Sequence, residues 1–344
     1  MRKHSAIANS ELLLSRRSEF MTHVIPSAAP PIVHENSAMS ERASIAVIIL
    51  TYNETLHLSR ALEHITGFAQ EIFVVDSFST DGTVDLAKSY GAHVLQHNFQ
   101  NHAKQFEWAL ENAPITAEWV MRLDADEVVE ADLAAEIVTR LVTLPVDVTG
   151  VNLNRKTIFQ GKFIRHGGRY PLTLLRIWRR GKAHIEDRWM DEHICLSEGR
   201  SVTFGGGFAD HNLRDLTFFT DKHNSYASRE ALDVLNKRLH LFGPSCALTA
   251  ESTARQAQLK RFFKESVYNR IPFEFSAFAY FLYRYFIQRG FLDGRQGLVY
   301  HVLQGFWYRF LAGAKLRELE TAVRKASSSE EVRDEIVRLT RQQP

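Results

Sequence analysis

A chain of 344 residues with 45% hydrophobic and 24% charged residues has an ordinary globular composition, long enough for two domains or one large domain with an appendage. The formal net charge of +2 says little alone, because what matters is where the charges lie. Cys195 and Cys246 are the only cysteines, which excludes a disulfide framework or a CxxC metal site and points to a reducing compartment.

Residues 1–43 are polar and become rich in Pro, Ala and Ser. Their longest apolar run is three leucines, too short for a signal-peptide core, so they are expected to be a disordered extension. Met39 opens "MSERASIAVIIL", and the natural start is expected at Met21 or Met39. The continuous apolar run in "SIAVIILTYNE" (44–54) predicts a parallel strand buried on both faces. Leu58, Leu62 and Ile65 then recur at helical spacing over 55–66. Strands are predicted over 71–79, 92–99 and 118–127, and helices over 80–91, 101–113 and 132–144. Strand and helix in alternation, with short connections, predict a doubly wound α/β sheet. Ligands of such sheets sit beyond the carboxyl ends of the strands. Three polar clusters fall there: Thr51-Tyr52-Asn53-Glu54, Asp76-Ser77 and Asp124-Ala125-Asp126.

Residues 147–210 read as further strands and turns, with frequent Arg and Lys; the α/β domain is expected over 44–212. From 213 to 344 the chain reads as helical. Residues 255–317 carry eleven Lys and Arg against three acids, mixed with Phe, Tyr and Trp. The uncharged runs there reach nine (275–283) and thirteen (296–308) residues, short of the roughly 20 that a spanning helix needs. Basic and aromatic residues together on helices suit a membrane–water interface; an aromatic core with a solvated basic face is the simpler alternative. No nucleic-acid motif accompanies this composition, and no nucleic-acid partner is expected. Neither GxGxxG nor GxxxxGK[ST] occurs.

"VMRLDADEVVE" (120–130) ends an apolar run in four acids, Asp124, Asp126, Glu127 and Glu130. Like charges this close repel, and one would ordinarily take up a proton. A divalent cation, Mg²⁺ or Mn²⁺, relieves the repulsion, because hard cations share oxygen ligands between carboxylates and substrate phosphates. A strand end followed by an acidic helix start is the plainer reading. The position of "DAD" on the fourth strand, with Asp76 on the second, favours the cation.

"VIILTYNE", "VVDSFSTDGT" and "LDADE", in that order, resemble glycosyltransferase family 2 over about residues 44–200, in the flavour of bacterial lipopolysaccharide-core and capsule sugar transferases. The resemblance implies a GT-A fold, a doubly wound, Rossmann-like mixed sheet, here with a C-terminal helical appendage. It also implies a nucleotide-diphosphate sugar donor, a divalent metal and inversion at the anomeric carbon. Carried onto this sequence, Thr51, Tyr52 and Glu54 would line the nucleotide pocket. Asp76 would accept from uracil or a similar base. Asp124 would touch ribose or metal, Asp126 would hold the metal, and Lys104 would lie near the donor on its helix. Asp81 fits a helix cap as well as a donor contact.

An inverting transfer needs a base for the acceptor hydroxyl. In "WMDEHI" the resemblance offers Glu192, with Asp191 as the alternative. His211 in "FADHN" is a candidate metal or diphosphate ligand, against a structural histidine; His193 and His223 are weaker candidates. Arg169, Arg176 and Arg179 could bind diphosphate or an anionic acceptor, with solvated basic faces as the simpler explanation. The absence of QxxRW argues for one sugar per encounter. The expected protein is a metal-dependent inverting transferase on the inner face of the cytoplasmic membrane. It would act on a lipid-linked or lipopolysaccharide-type acceptor, with a UDP-sugar as the expected donor. A Mg²⁺-dependent nucleotidyl- or phosphotransferase, and a non-catalytic sugar-nucleotide-binding protein, are the alternatives.

Overall fold

The computed structural model describes residues 42–185, 194–239 and 272–340. These fall within one compact unit, Ser40–Pro344. The expected N-terminal extension over 1–43 lies almost wholly outside the described residues.

The first half alternates as expected: β1 (Ala43–Thr51), α1 (Thr55–Ile65), β2 (Ala69–Asp76), α2 (Thr83–Ser89), β3 (His93–Gln96), α3 (His102–Asn112) and β4 (Trp119–Asp124). Strand β1 explains the continuous apolar run. Ile45, Val47 and Ile49 enter a core with Leu58, Leu62 and Ile65 of α1. Ala46 and Ile48 enter the opposite one with Phe106 and Ala109 of α3 and Trp178. With successive side chains on opposite faces, a strand covered on both sides has no position for a polar residue.

Then come β5 (Glu127–Val129), α4 (Ala131–Arg140), β6 (Val148–Phe159), β7 (Lys162–Phe163), β8 (Leu172–Arg179), β9 (Ala183–Ile185), β10 (Ile194–Leu196) and β11 (Arg200–Asp210). The main sheet runs β3-β2-β1-β4-β8-β6-β11-β5. Strands β1, β2, β3 and β4 are parallel, whereas β4–β8, β6–β8 and β5–β11 are antiparallel. This is the mixed GT-A sheet. The chain moves outward through β2 and β3 and returns on the other side of β1, so the order reverses between β1 and β4, where Leu50 is in register with Asp124. The turn Ala125–Asp126 leads into β5, which pairs Glu127 with Asp210 of β11. That pairing ties the far end of the sheet order back to the tip of β4.

The predicted strand ends were too long, for local reasons. β2 stops at Asp76 because Ser79 folds back onto the Asp76 carboxylate and Phe78 takes a left-handed φ of 60°. β1 stops at Thr51, two residues before Asn53 at φ 54°.

The helical region comprises α5 (Leu216–Leu239), α6 (Phe273–Leu282), α7 (Gly294–Tyr300), α8 (Tyr308–Lys325) and α9 (Ser329–Thr340); wider π-type turns extend α6 to Ile287 and join α7 to α8. Leu232 and Leu235 of α5 pack with Leu319 of α8 and Ile336 of α9. Tyr300 packs with Phe159 and Ile164 of the sheet region. The two parts also share buried polar contacts. Asp293 accepts from the His166 backbone N–H at 2.8 Å, and Arg284 Nε donates to the Gly167 carbonyl at 2.7 Å. Only glycine suits position 167: φ is +67°, and a Cβ there would lie 2.2 Å from the buried His301 ring.

Candidate active site

At the carboxyl end of β1, Thr51 Oγ1 donates to Asp76 Oδ1 at 3.0 Å. Asp76 also accepts from Ser79 N at 2.8 Å, from Ser79 Oγ at 2.5 Å and, at 3.4 Å, from Gln96. Its carboxylate is fully buried and uses about as many lone pairs as it has. Asp76 does not itself line the cleft but holds Thr51 and Ser79 beside it, while its neighbour Ser77 lines the cleft. Ser79 Oγ accepts from Asn53 N at 2.8 Å, which locks the loop carrying Tyr52 and Glu54 at the cleft edge.

Buried His57 extends this lock. Its Nε2 accepts from the Leu213 backbone at 3.0 Å, so Nδ1 holds the ring proton and donates to Glu54 at 2.5 Å. Asp81 accepts from the backbone N–H of Thr55 and of Thr83, at the starts of α1 and α2. It serves as a shared cap, and it does not line the cleft.

Asp124 ends β4 half-buried, with Arg122 Nε at 3.3 Å and Arg176 at 3.5 Å. Burial favours its neutral form, but Arg122 and then Arg176 outweigh that and hold the carboxyl well below the usual range. Glu127 turns inward. Its Oε1 accepts from Arg176 at 2.7 Å and its Oε2 from the Asp124 backbone at 2.9 Å. Burial pushes its carboxyl up to about 8, with Arg176 opposing and Asp124 adding to the rise. Two arginines thus relieve part of the repulsion in the acidic run, and Glu127 does not reach the cleft surface as an exposed acid.

The β5–β11 pairing brings 210–212 to the same place. His211 N donates to the Asp126 carbonyl at 3.0 Å, and Asn212 Nδ2 to the Asp126 carboxylate at 2.9 Å. Asp210, 3.8 Å from Arg155, is pushed up by burial, with Arg155 opposing and Asp126 reinforcing the rise. From α5, Lys222 feels Asp126, Asp210 and Asp124, which together with Tyr226 outweigh burial and raise its pKa. Arg60 donates to His211 Nδ1 at 3.0 Å and to its carbonyl at 2.5 Å. Burial and then Arg60 lower the His211 pKa. With Nδ1 accepting, the ring proton sits on Nε2. In that form His211 can donate a hydrogen bond to a diphosphate oxygen.

Beside these groups opens one cleft of about 2920 Å³ that runs on between α5 and α8. It gathers Thr51, Tyr52, Glu54, Asp124, Asp126 and His211. It does not gather Lys104, which is exposed on the first turn of α3 because Asn101 caps the helix in a phase that buries Ala103, Gln105 and Phe106. Arg179 is also elsewhere, stacked 4.4 Å from the Trp119 ring. Asp191, Glu192 and His193 lie outside the described residues. Sequence reading missed Arg122, Arg155, Asp210, Asn212 and Lys222; only Arg122, two residues before Asp124 on one strand face, had a local signal.

Residues 46–197 match the family described as Glycosyl transferase family 2. Those residues form a glycosyltransferase family 2 domain. The chain is 24% identical over 296 residues to an uncharacterized glycosyltransferase of Rickettsia typhi, covering 83% of this chain and 91% of that one. It is 25% identical over 285 residues to the lipopolysaccharide core biosynthesis glycosyltransferase LpsC of Rhizobium meliloti, covering 81% and 93%. Its overlap with S. aureus TarS 1–349 spans 86% of this chain and 90% of that chain at 13% identity, with a TM-score of 0.38. Glucosyl-3-phosphoglycerate synthase from Mycobacterium tuberculosis, in complex with Mn²⁺, UDP and glucosyl-3-phosphoglycerate, overlaps 34% of this chain and 44% of its own at 20% identity and a TM-score of 0.27. Overlaps this loose carry no argument about substrate.

The glycosyltransferase's acids suit a divalent cation of a particular kind. Among the described residues no group of three acids or histidines stands close enough to hold one with protein atoms alone. Asp126, whose carboxylate accepts from Asn212, and Asp124 beside it provide hard oxygen donors at the cleft surface. Two carboxylates completed by substrate phosphates is a common way for Mg²⁺ to bind.

Proposed function

We propose that the enzyme transfers one sugar, with inversion, from a UDP-sugar to a lipopolysaccharide-core or lipid-linked saccharide, using Mg²⁺ or Mn²⁺. The observation that carries this reading is the meeting of Asp124, Asp126, Asn212 and Lys222 where the strand order reverses between β1 and β4, the ligand position of open α/β sheets. Asp126 and Asp124 would hold the cation, which when bound supplies a Lewis acid for the charge that develops on the departing diphosphate. Lys222 and Arg155 add fixed positive charge beside it. Thr51, Tyr52 and Glu54 border the nucleotide, with Thr51 held by Asp76. Glu192 or Asp191 would take the proton of the acceptor hydroxyl. The core-biosynthesis relative supports a lipopolysaccharide-type acceptor.

The same reading places the enzyme on the inner face of the cytoplasmic membrane. Phe275, Phe278, Leu282, Phe286 and Ile287 are exposed at helical spacing along α6 and its extension, Phe275 and Ile287 at 70% and 72%. Exposed Arg289 and Arg295 follow. Exposed aromatics beside cations suit an interface with anionic lipid. Among the described residues no helix is long and apolar enough to cross a membrane.

The test is release of free UDP from UDP-sugars with Mn²⁺ or Mg²⁺, in wild type and Asp126→Ala. The expected result is release that stops with EDTA and falls about 10²-fold or more in the variant. Release indifferent to both would sink the metal-dependent reading. Pyrophosphate or phosphate as the product would indicate nucleotidyl or phosphoryl transfer instead.

A further inference from the structure

The cleft continues past Lys222 between α5 and the C-terminal helices, and its cations there are of two kinds. Some are neutralised: Arg238 pairs with Glu320 at 2.6 Å, and Arg317 lies 3.6 Å from Glu274. Others are not. Arg169 and Arg229 line the same cleft and make no ion pair among the described residues, and each has a buried Nε without a hydrogen-bond partner. The Arg169 guanidinium is held 5.4 Å from the Tyr300 ring.

Behind this wall is a third unneutralised charge. Arg284 is 2% exposed and donates to neutral carbonyls, Gly167 O at 2.7 Å and Gln304 Oε1 at 2.6 Å; its second terminal nitrogen has no partner among the described residues. Burial lowers its pKa; Tyr280 opposes this and Arg169 adds to it. Solvated basic faces do not bury guanidinium nitrogens unpaired, because a donor removed from water without a partner is costly. Several such donors around one cleft suit a bound oxyanion, which arginine forks grip well.

The patch adjoins the donor end along α5: Lys222, His223 and Arg229 of that helix line the same cleft as Asp124, Asp126 and Arg169.

We propose that Arg169 and Arg229, backed by Arg284, form an oxyanion subsite that seats a phosphate or carboxylate group of the acceptor. This rests on the reading of the cleft as a sugar-transfer site with a saccharide acceptor. The oxyanion has two possible sources: the diphosphate of a lipid carrier, or an acidic group on the saccharide itself.

The experiment is isothermal titration calorimetry of the full chain with glucose 6-phosphate, farnesyl diphosphate and, as uncharged controls, glucose and farnesol. EDTA is present so that the anions do not enter the donor end through a metal. Wild type is compared with Arg169→Gln, Arg229→Gln and the double variant, and with Arg229→Lys as a charge-preserving control. The expected result is binding of at least one anion and neither control, weakened about tenfold or more in the double variant and less in Arg229→Lys. Farnesyl diphosphate alone would identify the lipid carrier as the source, and glucose 6-phosphate the saccharide. Absence of anion binding at millimolar concentration, or binding unchanged in every variant, overturns the subsite. UDP with Mn²⁺ is titrated in parallel. If UDP binds to wild type and variants alike while the anions do not, the subsite fails and the transferase reading stands; if UDP does not bind to wild type, the transferase reading fails.

Discussion

Arg176 donates a 2.7 Å hydrogen bond to the buried Glu127 carboxylate and lies 3.5 Å from Asp124, so one guanidinium joins the inward acid to the cleft acid. Arg176→Met removes the partner and leaves both acids facing each other. Leaving the buried Glu127 oxygen without its donor costs about 1–3 kcal/mol, and the denaturant midpoint is expected to fall accordingly. Arg176→Lys keeps the charge but not the fork, and should fall between. A midpoint unmoved in Arg176→Met would mean that the acids hold their arrangement without it.

Asp76 carries a second prediction. Asp76→Asn replaces an acceptor of Thr51 and Ser79 hydrogen bonds with a group that offers fewer lone pairs, at a cost of roughly 1–3 kcal/mol. Because Ser79 also holds Asn53, the effect should reach the nucleotide pocket: donor KM is expected to rise about tenfold while kcat changes less. Steady-state kinetics with varied donor reads both. An unchanged KM would show that the buried network does not shape the pocket.

The sheet and the two cleft aspartates were legible because their signals are local. A strand buried on both faces is apolar at every position, and Asp124 and Asp126 stand two apart at the end of such a run. Lys222, Asp210 and Asn212 were not legible as site residues. They reach Asp126 through the β5–β11 pairing and the packing of α5, over sequence separations of about 85 to 95 residues that leave no periodic mark. Lys104 shows the converse. Its chemistry suited the donor, but the phase of α3, set by the Asn101 cap, points it to solvent.

Asp81 makes an acid-dependent prediction. Burial alone would raise its pKa, but hydrogen bonds from Thr83 and Thr55 outweigh that and bring it from 3.8 to about 2. A folded pKa below the unfolded one means that the stabilisation is fully present above about pH 4 and is lost as pH falls through 4 toward 2. Asp81→Ala removes a cap worth about 1 kcal/mol near neutrality. In urea unfolding at pH 6, 4 and 3, the gap between wild type and variant should be constant down to about pH 4 and then narrow. A gap that persists undiminished at pH 3 would contradict the assignment.

The exposed face of α6 and its extension gives the last prediction. Phe286 and Ile287 are 55% and 72% exposed, on a helix whose other side meets the rest of the molecule through Arg284. If this face enters the headgroup region, burying each side chain contributes roughly 1.5–3 kcal/mol, so the Phe286→Asp/Ile287→Asp variant should partition at least tenfold less onto vesicles containing anionic lipid. Added salt should weaken wild-type binding, because the neighbouring Arg289 and Arg295 act through screened charge. UDP release from donor alone, measured without vesicles, should be unchanged, since neither residue lines the cleft. Cosedimentation at low and high salt reads the partition, and equal binding of wild type and variant would move the anchor elsewhere on the molecule.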